Sequence, residues 1–173
     1  MKRRLLAALA LVFCAGAMAA EDNVHFSGAL VSEPCTLPDA DKDITLDFGS
    51  VIVKSLYQYQ RTKSQPFSIH LQACDPAILS TVSVTFQGTA DTELPQMLAL
   101  DAGSAAKGVA VGLALADDTL LAVNKASPYA QLSSGDNTLT FNAYVQAQPT
   151  MIASKSITAG DFTTTANFVL AYQ

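Results

Sequence analysis

The 173 residues contain no tryptophan, only two histidines and only three cysteines, and basic side chains are outnumbered by acidic ones, ten to fifteen. Each shortage excludes something. A chain this poor in Lys and Arg is not drawn to phosphate backbones or anionic lipid, so nucleic acid is set aside. A metal site lacks partners, because His25 and His70 are the only histidines. Neither has a serine or acid neighbour in a recognisable catalytic motif, and neither a Gly-x-Ser-x-Gly elbow nor a phosphate-cradling glycine loop occurs. No enzyme activity and no cofactor are expected. Asp39, Asp41 and Asp43 have the two-residue spacing that opens a calcium loop, but Ile44 stands where that loop needs glycine and Ser50 where it needs glutamate. A solvated turn accounts for these acids. Tyr57 and Tyr59 in SLYQYQ could stack on a sugar, which keeps a carbohydrate-binding module as the alternative function; strand or loop packing is the simpler reading of the pair.

Long apolar runs are also missing, apart from residues 5–15. Those eleven residues fall short of the ~20 that span a bilayer. Lys2, Arg3 and Arg4 precede the run and Ala17-Met18-Ala19 follow it, so residues 1–19 read as a secretory signal cut after residue 19 or 20. Cys14 raises a lipoprotein anchor, but Phe13 occupies the preceding position, which should be small. Removing the three basic residues of the signal leaves seven against fifteen acids, a net charge of −8. About 154 residues remain, enough for one domain with a core. Cys35 and Cys74 are the two mature cysteines, and in an exported protein they most simply form one disulfide.

Short alternating segments make up the rest. Residues 69–74, 81–88, 108–115, 137–145 and 166–173 alternate apolar with polar or small side chains, and 44–49 does so more briefly. Turn signals separate them at Pro38-Asp39, Gly103-Ser104, 133–137 and Gly160-Asp161. No segment holds a helical period for three turns; residues 94–100 allow one turn after Pro95. The pattern predicts an all-β, immunoglobulin-like antiparallel sandwich.

Two strands are oddly placed. VHFSGALVSEPC puts Val24, Phe26 and Leu30 on one face, with Gly28 between them, ahead of the first mature cysteine. At the other end Phe168, Leu170 and Tyr172 share a face and the sequence stops at Gln173. A spare strand in front and an uncovered edge behind are complementary if one molecule fills the next, and head-to-tail pairing of that kind builds a filament. Val24, Phe26 and Leu30 also fit an ordinary edge strand of the same domain, and Phe168, Leu170 and Tyr172 fit the core of a closed sheet.

Along the whole mature length the chain resembles pilin subunits of the chaperone–usher pathway, of the type-one and P-pilus kind. VHFSGALVSEPC is similar to their N-terminal donor extension, Cys74 stands where their second cysteine closes the bridge, and TFQGTAD (residues 85–91) is similar to the stretch that follows. Gly160, fourteenth from the end, and penultimate Tyr172 match the spacing in subunits that a pilus chaperone captures. The resemblance implies an incomplete sandwich lacking its final strand, with residues 20–34 as donor extension and 35–173 as pilin domain. It implies a groove beside Gly160, Phe168, Leu170 and Tyr172. A periplasmic chaperone would fill it while holding the Gln173 carboxylate, and at the outer-membrane usher the donor strand of a neighbouring pilin would replace the chaperone's. The chain would end in the cell-surface fimbrium, supporting adhesion. Only about four residues precede Val24 after the cut, which looks more like minor, tip or adaptor subunits than the major rod subunit, and leaves no room for a separate lectin domain.

Overall fold

The computed structural model of the chain describes residue 30 and residues 32–173. The chain divides into two units, Met1–Leu30 and Val31–Gln173, and the second holds the sandwich. Alternation becomes strand wherever a partner is available. In order these are β1 (Gln65–Cys74), β2 (Thr81–Gln87), β3 (Val109–Leu115), β4 (Leu120–Leu121), β5 (Ala130–Gln131), β6 (Gly135–Ala147) and β7 (Asn167–Tyr172). One sheet has the order β1-β6-β3-β4 and the other β5-β2-β7, with every pairing antiparallel. This is the expected immunoglobulin-like sandwich.

The inner faces follow the period of two. Ile69 and Leu71 of β1, Val82 and Val84 of β2, Val111 and Leu113 of β3, and Phe141 and Ala143 of β6 form the main core. Phe67, Phe86 and Phe141 meet there, Phe86 edge-on to the other two, with ring centroids 5.1–5.8 Å apart. Cys35 and Cys74 form the disulfide, joining residues 39 apart in sequence. On the chain-entropy account a loop of that length contributes about 4 kcal/mol.

Several local expectations change. Residues 44–49 alternate as a strand would, yet belong to no sheet, because no neighbouring edge lies against their backbone among the described residues. SLYQYQ lies largely in a helix, α1 (Val53–Tyr59), rather than in a strand or loop. Residues two apart on a helix point about 200° apart: the Tyr57 hydroxyl accepts the Ile157 N–H at 3.0 Å while Tyr59 is exposed, so the two rings do not form one stacking face. A second helix, α2 (Pro149–Ser154), starts on a proline whose missing N–H costs nothing at that position. Near Pro95 the single turn is a Met97 N–H to Leu94 C=O bond, after which Leu98 bridges to Ala90 and Val111. The turn at Asp39–Asp41 is not wholly solvated: Asp41 is 8% exposed, and its carboxylate accepts the backbone N–H of His70 and pairs with His70 Nδ1 at 2.8 Å.

Strand β3 is buried on both faces, which explains its run of small residues. On its outer side Gly112 lies opposite Tyr144 in register. The buried Tyr144 ring covers that glycine, and Arg61 sits 4.3 Å from the ring centroid on β6. A Cβ at Gly112 would come 2.4 Å from Tyr144 Cζ. Gly112→Ala is therefore expected to displace the ring and destabilise the domain by about 1–3 kcal/mol. A lower urea midpoint at unchanged slope is the expected readout; an unaltered midpoint would mean that the ring moves aside freely.

Candidate functional site

The two edges of β2 are treated differently. On one side β5 and the main chain that precedes it occupy it: Asn124 N–H donates to Phe86 C=O and Ser127 N–H to Val84 C=O, both at 2.8 Å. On the other side lies β7, in register from Val82↔Tyr172 to Gln87↔Asn167, and β7 is itself the last strand of its sheet. Its outer edge pairs with no strand among the described residues.

Beside that edge runs an open groove of about 1120 Å³. One wall is residues 42–51 and the other residues 160–168, with Phe67, Phe86, Leu98, Val111, Leu113 and Ala143 between them. Each wall alternates. Ile44, Leu46 and Phe48 turn inward and pack on the core, while Thr45, Asp47 and Gly49 are exposed. Phe162, Thr164, Ala166, Phe168, Leu170 and Tyr172 are half-buried, and each intervening residue from 161 to 171 is exposed. Phe48 and Phe162 bring the walls together, their rings stacked at 6.3 Å.

The first wall is anchored at its ends. Its beginning is tied to β1 by the disulfide, by the paired bonds of Thr36 with Gln72 at 2.8 Å, and by Asp41 on His70. Its far end enters α1, where Val51 packs beside the fully buried Leu56. Between these anchors the main chain of residues 43–51 makes no backbone hydrogen bond among the described residues; the Asp47 carboxylate accepts the Gly49 N–H. Free main-chain donors and acceptors therefore flank an apolar floor. An extended segment laid in this space would find a ladder at its sides and pockets beneath alternate side chains.

Gly160 begins the second wall because the chain must pass tightly there. A Cβ on it would lie 2.8 Å from Ala105 Cβ and 2.9 Å from the Ala106 nitrogen. The next residue uses that closeness, Asp161 C=O accepting the N–H groups of Ala105 and Ala106 at 2.9 and 3.1 Å. Phe168 lines the groove, and Leu170 and Tyr172 continue its face along β7. Partial burial raises the Tyr172 phenol above its ordinary value, and the Glu33 carboxylate adds to the shift. Gln173 holds the end of β7 through its main chain: its C=O accepts the N–H groups of Ser80 and Thr81, both at 2.9 Å. Val24, Phe26 and Gly28 lie outside the described residues, and Leu30 belongs to the N-terminal unit.

Sequence reasoning missed the first wall as a wall, although the alternation of Ile44, Leu46 and Phe48 was its signal. It also missed Phe162, because Thr163, Thr164 and Thr165 dilute the apolar pattern before Phe168. Among the described residues, only Lys42, Asp43, Asp47 and Asp161 bring charge to the groove lining. Among the described residues no three His, Cys, Asp or Glu side chains are grouped to hold a metal ion.

Comparison with known proteins agrees with this geometry. The family model described as fimbrial protein matches residues 24–173. The major MR/P fimbria protein of Proteus mirabilis is 31% identical, the match covering 99% of this chain and 98% of that protein. A putative minor fimbrial subunit of the same organism, PmfF, is 29% identical over 87% of this chain and 84% of that one. Among solved structures, a subunit of a chaperone–usher pilus studied for rod uncoiling is 26% identical with a TM-score of 0.68, covering 89% of this chain and 96% of that one. With the match running through both groove walls and the disulfide, the chain belongs to the fimbrial protein family, the exported, non-enzymatic structural subunits of chaperone–usher pili.

Proposed function

We propose that this subunit polymerises by strand exchange: residues 20–34 of one molecule, freed by removal of residues 1–19, fill the groove in the 35–173 domain of the next. The open groove carries this reading, since among the described residues its two walls leave backbone unpaired on either side of an apolar floor. Val24, Phe26 and Leu30 are the side chains that enter it. At roughly 1.5–3 kcal/mol each, their burial supplies about 5–9 kcal/mol before ladder bonds and ordering costs. Gly28 passes where the backbone needs close approach.

Before assembly the same space needs a temporary occupant, because an apolar edge left open is an aggregation site. A periplasmic chaperone lends that strand along Phe168, Leu170 and Tyr172 and holds the Gln173 carboxylate. The usher is where the neighbouring subunit's strand replaces it. No nucleotide is needed, since the second occupant packs better than the first. The finished fibre supports adhesion. Within it, the four residues 20–23 ahead of Val24 favour a minor or adaptor position; the relatives named above include one major and one minor subunit.

Phe26→Asp is expected to leave the domain's own unfolding midpoint unchanged while stopping the variant from docking on the next subunit, read as its absence from purified fibres. Normal incorporation would overturn the donor assignment. Removing residues 167–173 should abolish co-purification with the chaperone, and retained binding would count against the groove. Gentle dissociation of native fibres followed by mass measurement should find few copies of this chain per fibre; a chain repeated along the shaft would make it the rod subunit.

A further inference from the structure

Charge is distributed unevenly along the strand axis. No Asp or Glu occurs from residue 48 to 74 or from 147 to 160. These two stretches supply α1 and α2, which meet at one end of the sandwich: Tyr57 hydroxyl takes the Ile157 N–H, and Leu56 packs with Val109, Val145 and Ala147. Lys54, Lys63 and Lys155 are exposed there, and Arg61 covers Tyr144. Three carboxylates that approach this helical end are engaged, Glu93 by Thr150, the buried Asp91 by Gln148 and Asp101, next to Leu100, by Thr165, while Asp161 stands on the groove side.

The opposite end gathers around the disulfide, where Cys74 lies opposite Gly135 and Asp75 N–H donates to Pro34 C=O. Glu33, Asp39, Asp43, Asp75 and Asp136 are exposed at this end. Lys42 pairs with Asp39 at 2.6 Å, and His70 is held on buried Asp41. Carboxylates are in clear excess.

Resting on the strand-exchange reading, we propose that the helical end of one subunit is the docking surface for the acidic disulfide end of a second copy of this chain. The direction follows from β7. It runs toward the disulfide end, finishing with Gln173 on Ser80 and Thr81, while the groove's other end, at Val51 and Phe162, shares the helical-end cluster. Both sheets pair antiparallel throughout, so a strand added to β7 antiparallel runs toward the helical end and leaves the groove there. Five residue steps separate Leu30 from Cys35, a reach of at most about 18 Å. The incoming disulfide end must then settle against the basic helical end, some of its charges within the Debye length of about 8 Å at physiological salt. A minor position in the fibre limits how many such contacts form, not their geometry.

The test uses chaperone-held mature subunit carrying Phe26→Asp, so that it accepts a strand but cannot donate one. Its exchange is timed against a synthetic peptide of residues 24–32, which has no Asp, Glu, Lys or Arg, and against a full second copy, from 50 to 500 mM NaCl. Exchange with the full copy is expected to slow about tenfold or more with salt relative to the peptide. Lys54→Glu with Lys63→Glu in the acceptor should abolish that difference, and Asp39→Lys with Asp75→Lys in the donor should restore it. Equal salt dependence for peptide and copy, or a copy that fails to enter where the peptide succeeds, overturns the docking surface. Faster exchange at high salt overturns it too, showing that like-charged ends meet and the strand runs the other way. A peptide that never enters removes the strand-exchange reading itself, a result distinguishable from all of these.

Discussion

An apolar floor over which none of the described residues lays a strand sets the terms for this fold. Phe67 and Phe86 are as much a part of the core as Ile69 or Val84, yet they also face the groove. The sandwich therefore holds its hydrophobic interior together from two sheets and two flanking walls, and one of those walls makes no ladder bonds with the other described residues. Burial of Ile44, Leu46 and Phe48 alone would hold it loosely. What fixes it is the anchorage at either end, covalent at Cys35–Cys74 and packed at Leu56. The disulfide thus contributes more than loop-closure entropy: it aligns an unpaired length of chain beside β7.

The placing of small residues follows the same constraint. At Gly160 the second wall passes so close to Ala105 and Ala106 that any side chain would push it outward, altering the width of the groove from outside. At Gly112 the restriction comes from the far face of the other sheet, where Tyr144 takes the room that a side chain would need. Both glycines have a structural reason, and the reasons are unrelated.

Much of the architecture was legible because alternation survives translation into strands. Segments such as 81–88 and 108–115 fell within a residue of β2 and β3. β6 was longer than its apolar pattern suggested, since its polar outer face from Gly135 onward still pairs with β1. The two helices were illegible for a physical reason: seven and six residues cannot show a period of 3.6 convincingly, and their stability comes from packing on Val109, Val145 and Ile157. β4 and β5, two residues each, carry no pattern at all. The Asp41–His70 contact joins residues 29 apart, a pairing that depends on the fold and leaves no local trace. At the groove, Phe168, Leu170 and Tyr172 were readable from side-chain period alone. The opposing wall was read as a strand because its side chains do alternate; whether a backbone is paired depends on what lies beside it.

The groove lies lengthwise between the two ends of the domain, alongside β7. In a fibre assembled through it, tension along the fibre pulls the inserted segment parallel to its own backbone. Every ladder bond and every seated side chain then bears load at once, in shear, instead of parting one after another as in peeling. The joint is strongest in the direction in which a tethered, flow-dragged filament is stretched.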